Sequence, residues 1–113
     1  MNIQIFGTKK SSDTRKAERF FKERGIKFQS VDLLEKGLSK GEFQSVMQAV
    51  GGLENMIDES ARDKDLLTLI KYISAEDRMQ KVQENQSVLK QPVVRNGRQA
   101  TVGYQPDVWK TWN

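Results

Sequence analysis

The sequence predicts an α/β domain built on a four-stranded mixed sheet, and three observations favour this class. A short strand, an amphipathic helix and a second strand follow one another over residues 3–33. Helical periodicity then continues over about residues 38–87. A hairpin signal at Asn96-Gly97 and a short last helix complete the chain. The element order is therefore βαβ, an inserted helical block, and ββα.

The βαβ unit begins with a strand over Ile3–Phe6, where residues alternate between apolar and polar. A helix follows, because Ser11 or Ser12 can cap its N-terminus. Apolar residues at helical spacing form its buried face: Ala17, Phe20 and Phe21. Gly25 suits the end of this helix, and Lys27–Leu33 is predicted as the second strand. The two strands are expected to be parallel because a helix connects them.

The inserted block is predicted to be helical. Ser39–Glu42 has the spacing of a capping box, so a helix starts there, and Gly51-Gly52 ends it. The helical pattern continues from Leu53 to about Gln86, with breaks near Glu59-Ser60 and near Ser74. These helices separate the two strand-forming parts of the chain.

The ββα unit contains the strongest short-range signal in the sequence. Asn96-Gly97 fits the two positive-φ positions of a type I′ turn between strands at Pro92–Arg95 and Arg98–Val102. Pro106 is acceptable as the first residue of a final helix that continues from Asp107 to about Trp112. The tail aromatics are expected to pack in the core or as a lid rather than to form a base-stacking platform: Tyr104, Trp109 and Trp112.

The composition limits the chemistry of the chain. A hydrophobic content of 36% with 30% charged residues is typical of a globular domain with charged helix faces. The absence of cysteine excludes disulfides and thiolate ligands, and the absence of histidine removes the commonest metal ligand, so no metal site is expected. The net charge of +4 is attributed to a dispersed basic surface. No signal peptide or membrane span is predicted.

Four groups of residues carry a family resemblance. They are Ile5–Ser11 with Asp13–Ala17, Ala49–Glu54, Pro92–Val94, and Val102–Tyr104 with Trp109. In this order the chain resembles the arsenate-reductase-like family, the ArsC/Spx/YffB group, almost end to end. The resemblance implies a thioredoxin-like fold in one domain of residues 1–113. Its core would be about residues 1–35 and 88–113, and the helical insertion about residues 38–87.

The resemblance also implies where the site lies. Relatives carry a redox cysteine in the loop before the first helix, alone or as the first of a Cys-x-x-Cys pair. On that pattern Ser11 stands at the first cysteine and Thr14 at the second. Gln91 stands where arsenate reductases have an oxyanion-binding arginine, and Pro92 matches the family's cis-proline, which faces the loop. A cis Gln91–Pro92 bond is therefore expected, opposite Ser11.

The start of the first helix is a candidate anion site, because free N–H groups and the positive end of the helix dipole point there. Four cations crowd this turn: Lys9, Lys10, Arg15 and Lys16. Arg15 is the preferred anion ligand, since the resemblance places an arginine there and its planar fork can bind bidentately. The predicted basic pocket is lined by six residues: Lys10, Ser11, Ser12, Arg15, Gln91 and Pro92.

Three roles are open for Ser11: a helix cap only, part of a retained but unreactive anion site, or a nucleophile. A serine cannot replace a thiolate in disulfide exchange, so the chain is expected to be redox-inactive and to need no cofactor. One alternative is an arsenate-reductase-type oxidoreductase linked to glutathione or glutaredoxin, if Ser11 replaces a natural cysteine. In that case a small oxyanion and glutathione would be its ligands.

The other alternative is an Spx-like transcriptional regulator. The resemblance implies that the surface around Gly51-Gly52 would bind the C-terminal domain of the RNA polymerase α subunit. The simpler interpretation of these glycines is a helix stop. The protein is expected to be cytoplasmic, with no membrane partner and no direct contact with nucleic acid.

Overall fold

A four-stranded sheet forms the middle layer of the computed structural model, which describes residues 1–112. The strands are β1 (Ile3–Gly7), β2 (Phe28–Asp32), β3 (Val93–Asn96) and β4 (Gln99–Val102). The α-helices are α1 (Ser12–Glu23), α2 (Lys40–Val50), α3 (Lys64–Tyr72), α4 (Ala75–Glu84) and α5 (Pro106–Trp109). Short 3₁₀ helices cover Leu53–Met56 and Gln86–Val88.

The sheet has the mixed topology that the sequence predicts. Its strand order is β2-β1-β3-β4. β1 pairs in parallel with β2 and antiparallel with β3, while β3 and β4 form an antiparallel hairpin. The βαβ and ββα units around this sheet, with a helical block between them, confirm the thioredoxin-like fold.

The sheet is covered on both faces, and β1 contributes to both cores. Ile3 and Ile5 pack with α1 and with the two buried tryptophans of the tail. Phe6, between a glycine and Ile5, belongs to the larger core that the helical block forms on the other face. This alternation follows from the period of two in a strand. Both cores therefore meet at the strand that leads into the candidate site.

The helix starts follow the predicted caps. Ser11 Oγ accepts the N–H of Thr14 at 3.1 Å at the start of α1. At α2 both halves of the capping box are present, between Ser39 and Glu42. Gly51 ends α2 with a φ of +89°, a backbone conformation that glycine adopts without steric cost.

The prediction of a type I′ turn at Asn96-Gly97 is wrong, because the turn lies one residue further along the chain. Asn96 pairs with Gln99, so the two-residue loop is Gly97-Arg98, and among the described residues only glycines have positive φ. A single positive φ at the first loop position is typical of a type II′ turn. Asn96 stays in β3 because it also pairs with Ile3 of β1 and its Oδ1 accepts the N–H of Asn2.

Two other boundaries differ from the prediction. The break near Glu59-Ser60 extends over residues 57–63, where Ile57 forms an isolated bridge with Leu89. The last helix ends at Trp109 instead of about Trp112. No helix in residues 1–112 is long and apolar enough to span a bilayer.

Candidate functional site

An open cleft of about 690 Å³ lies at the junction of β1 and α1. The loop between these elements forms one wall, and the segments after β2 and before α3 complete it. The predicted site residues Lys10, Ser11 and Gln91 line this cleft. The other three predicted residues do not line it: Ser12, Arg15 and Pro92. The structure thus brings half of the predicted pocket together.

Ser11 is half-buried at the cleft, and both its N–H and its hydroxyl are hydrogen-bonded. Its N–H donates to the Thr8 carbonyl at 3.1 Å, and its Oγ accepts the Thr14 N–H at 3.1 Å. The hydroxyl oxygen therefore satisfies one of the free N–H groups at the start of α1. This is the N-cap role that the sequence allows for it.

Thr14, which the sequence analysis matches to the family's second cysteine, does not line this cleft. It is only 6% exposed, and its Oγ1 has no hydrogen-bond partner among residues 1–112. The side chain lies against Gly7, where an added Cβ would be 2.3 Å from Oγ1. A glycine is therefore required at the end of β1 for α1 to pack this closely.

Gln91 closes the opposite side of the loop. Its Oε1 accepts both the N–H of Thr8, at 2.9 Å, and the Thr8 hydroxyl, at 3.0 Å. The Gln91–Pro92 bond is cis, which confirms the prediction. Pro92 itself is buried, so its neighbour Gln91 is the residue that presents a polar side chain to the cleft. With its acceptor oxygen engaged, Gln91 ties the loop to the hairpin.

The basic residues of the first turn point to different partners. The Arg15 guanidinium donates to the carbonyl of Lys9, on its own loop. Lys16 forms an exposed ion pair with Asp13 at 3.9 Å. Arg15, the preferred anion ligand of the sequence prediction, is exposed and folds back along the loop. Lys9 and Lys10 are the cations of this turn that reach the cleft.

The cleft is mixed in charge, whereas the sequence predicts a basic pocket. Three cations line it (Lys9, Lys10 and Arg62), together with four carboxylates (Asp32, Glu35, Asp58 and Asp63). Two of these carboxylates, Asp58 and Asp63, belong to the break before α3. That break is fixed by a non-local bond, from the N–H of Asp58 to the carbonyl of Val88 at 2.8 Å. The sequence signals only the break, so this acidic wall could not be predicted.

No group of three acidic, histidine or cysteine side chains within residues 1–112 is arranged to hold a metal ion.

Comparisons with known proteins agree with this architecture. An arsenate reductase from Vibrio cholerae superposes with a TM-score of 0.81 at 22% identity, over 96% of this chain and 94% of that one. An ArsC family related protein from Bacteroides fragilis gives a TM-score of 0.83 at 18% identity, over 97% and 96%. At these identities the likeness establishes the fold.

The sequence comparisons establish the family. Global transcriptional regulator Spx 2 of Oceanobacillus iheyensis is 28% identical over 109 residues, which cover 95% of this chain and 80% of that protein. The family model of the ArsC family matches residues 6–112. The chain therefore belongs to the ArsC family.

Proposed function

We propose that this ArsC-family protein carries out no thiol redox chemistry and acts instead by binding a ligand or a partner. The observation that carries the proposal is the role of Ser11, which the resemblance places at the family's first cysteine. Its Oγ caps α1 by accepting the Thr14 N–H at 3.1 Å, and the chain contains no cysteine. The cis Gln91–Pro92 bond agrees with the resemblance, so the proposed site would keep the family's proline but lack its nucleophile.

The chemistry explains why this one position decides the activity. In the reaction that the family resemblance implies, a thiolate attacks arsenate and is regenerated by exchange with glutathione or a glutaredoxin. A serine oxygen cannot form the disulfide on which that exchange depends. A hydroxyl nucleophile also needs an adjacent base, and histidine, the most frequent base, is absent from the sequence.

An arsenate reduction assay coupled to glutathione and glutaredoxin tests the proposal. We expect no turnover above background for the unmodified chain, and turnover would refute redox inactivity. Ser11→Cys restores the thiol at the helix start, where the dipole lowers the pKa of a cysteine. The matched control is Ser12→Cys, whose exposed side chain lies outside the cleft lining. Turnover by the first variant alone would support the alternative of a reductase whose cysteine has been replaced.

A transcriptional regulator of the Spx type is the second candidate. The relative named Spx 2 aligns with 95% of this chain, which supports it. The surface around the end of α2 would be the contact with the C-terminal domain of the RNA polymerase α subunit. Ala49 and Gly51 are exposed there, and Asn55 Nδ2 holds the turn by donating to the Val50 carbonyl at 2.7 Å. This function would place the protein in the cytoplasm.

A pull-down with the purified α-subunit domain tests the regulator. Gly52→Arg changes the turn directly, but Gly52 has a φ of +134°, so the variant is also strained. Ala49→Arg adds the same charge on a regular helical position and avoids that strain. The control is Gly41→Arg at the other end of α2, where an added Cβ meets open space. We expect both variants near the turn to lose binding and Gly41→Arg to keep it; retained binding in Ala49→Arg would exclude this surface.

A further inference from the structure

A second groove, separate from the cleft, lies between α1 and α5. Its volume is about 490 Å³, within the range of about 300–1,000 Å³ that ligand sites occupy. Four cations line it (Lys16, Arg19, Arg24 and Lys110), with Glu23 as the one carboxylate of the lining. The groove shares no lining residue with the cleft at Ser11. The lining of the groove is therefore net positive, whereas that of the cleft is mixed.

Two of these cations form no ion pair within residues 1–112, although Arg24 Nη1 donates to the Phe20 carbonyl at 3.5 Å. Within residues 1–112, neither Arg19 nor Arg24 has a carboxylate within 4.0 Å. The Arg24 guanidinium lies over the Phe20 ring, 3.8 Å from its centroid, which fixes the orientation of its planar fork. The other two form exposed ion pairs: Lys16 with Asp13 at 3.9 Å and Lys110 with Asp107 at 3.7 Å. Such exposed pairs are weak and are readily exchanged for a ligand's anion.

An exposed aromatic ring borders the same groove. Tyr104 is 40% exposed, although the two tryptophans of the tail are buried. Its ring packs edge-on against Trp109, at a centroid distance of 5.5 Å and an angle of 84°. Trp109 is in turn fixed by donating its Nε1–H to the Thr101 hydroxyl at 2.8 Å. The core thus holds a partly exposed aromatic ring beside the cations, and Lys16 Nζ lies over that ring, 6.0 Å from its centroid.

We infer that this groove binds a short segment of single-stranded nucleic acid. Its cations would hold consecutive phosphates, and one unstacked base would lie on Tyr104. A basic groove that carries an aromatic platform is the arrangement by which proteins bind single strands. An acidic peptide would use the cations but not the ring, and a duplex keeps its base faces stacked inside. The sequence analysis predicts no direct nucleic-acid contact; the inference departs from that expectation because Tyr104 lies among these cations.

Fluorescence anisotropy with a labelled oligothymidylate of eight nucleotides tests the inference over 25–200 mM NaCl. Binding should weaken with salt, with a slope of log K against log[salt] of about −0.7 for each phosphate held. Arg19→Gln removes one exposed cation and should make the slope shallower by about 0.7. Arg98→Gln, in the exposed hairpin loop, makes the same change in net charge outside the groove and should leave the slope unchanged.

A second pair of variants tests the ring. Tyr104→Leu should weaken binding about five-fold or more, because stacking of one base is worth about 1–3 kcal/mol, whereas Tyr104→Phe keeps the ring and should bind like the unmodified chain. Absence of binding at 25 mM NaCl would overturn the inference. If Arg19→Gln and Arg98→Gln changed the salt slope equally, the binding would be general charge attraction and the groove would not be the site. Equal affinity for polyglutamate or for duplex DNA, with no effect of Tyr104→Leu, would assign the groove to another partner.

Discussion

The Thr14 hydroxyl has no hydrogen-bond partner within residues 1–112, so its removal is predicted to stabilise the protein. Thr14 and Thr101 are the two polar residues among the described part of the chain that are buried. Thr101 Oγ1 accepts the indole N–H of Trp109 at 2.8 Å, whereas Thr14 Oγ1 has no partner within residues 1–112. Valine has the same shape as threonine but no hydroxyl. The same substitution at the two positions should therefore have opposite effects.

The magnitudes follow from the hydrogen bonds. A buried polar group without a partner costs about 1–3 kcal/mol, and valine and threonine have similar helix propensities. Thr14→Val should therefore raise the free energy of unfolding by about 1–2 kcal/mol. Thr101→Val leaves the buried Trp109 N–H without its acceptor and should lower that free energy by about 1–3 kcal/mol. The two variants should thus differ by about 2–5 kcal/mol, a large part of the 5–15 kcal/mol that typically stabilises a domain.

Urea unfolding followed by circular dichroism measures both values, provided that the slope with denaturant is the same in all proteins. In thermal unfolding, each 1 kcal/mol corresponds to a change in Tm of about 4 °C for a chain of this size. Thr14→Ser is a useful control, because it keeps the hydroxyl and should gain no stability. If Thr14→Val destabilised the protein as much as Thr101→Val, the Thr14 hydroxyl would have a partner in solution and the reasoning would fail.

Three further changes test other contacts. Gly7→Ala should lower the free energy of unfolding by about 1–3 kcal/mol, because its Cβ would be 2.3 Å from the Thr14 hydroxyl oxygen. In urea unfolding, the double variant Gly7→Ala with Thr14→Ala should recover part of that loss. Gln91→Ala removes the acceptor of two hydrogen bonds from Thr8 and should speed hydrogen exchange of the Thr8 amide. Unchanged exchange would show that the hydrogen bond from the Thr8 N–H to Gln91 is not formed in solution. Ser39→Ala should cost about 1 kcal/mol, which Ser39→Asp should largely restore in the same unfolding measurement.

The sequence could predict those parts of the fold that local chemistry decides. The caps at Ser11 and Ser39 and the helix end at Gly51 depend on residues within one or two turns of each other. The parallel pairing of β1 with β2 follows from the helix between them. The cis bond at Pro92 was expected only through the family resemblance, because few X–Pro bonds are cis.

Features that depend on distant partners could not be predicted. Asn96 was assigned to the turn on local preference, but its pairing with Ile3 keeps it in β3 and moves the loop by one residue. The acidic wall of the cleft depends on Asp58, which is positioned by the carbonyl of Val88. Arg15 has the expected residue type at the expected place, yet its fork bonds to its own loop. In the first two cases a non-local contact outweighs the local pattern, whereas Arg15 is held by a carbonyl of its own loop.

The central position of β1 has a consequence for biosynthesis. β1 is translated well before β3, its antiparallel neighbour: Thr8, just after β1, and Gln91, just before β3, are 83 positions apart. At about 5–20 residues per second, the ribosome needs about 4–17 s to make the intervening chain. Until β3 is made, β1 has at most β2 beside it, so at least one row of its backbone groups stays open to other nascent chains. The protein should therefore depend on chaperones most during translation, and a shorter connection between β2 and β3 should relieve that dependence.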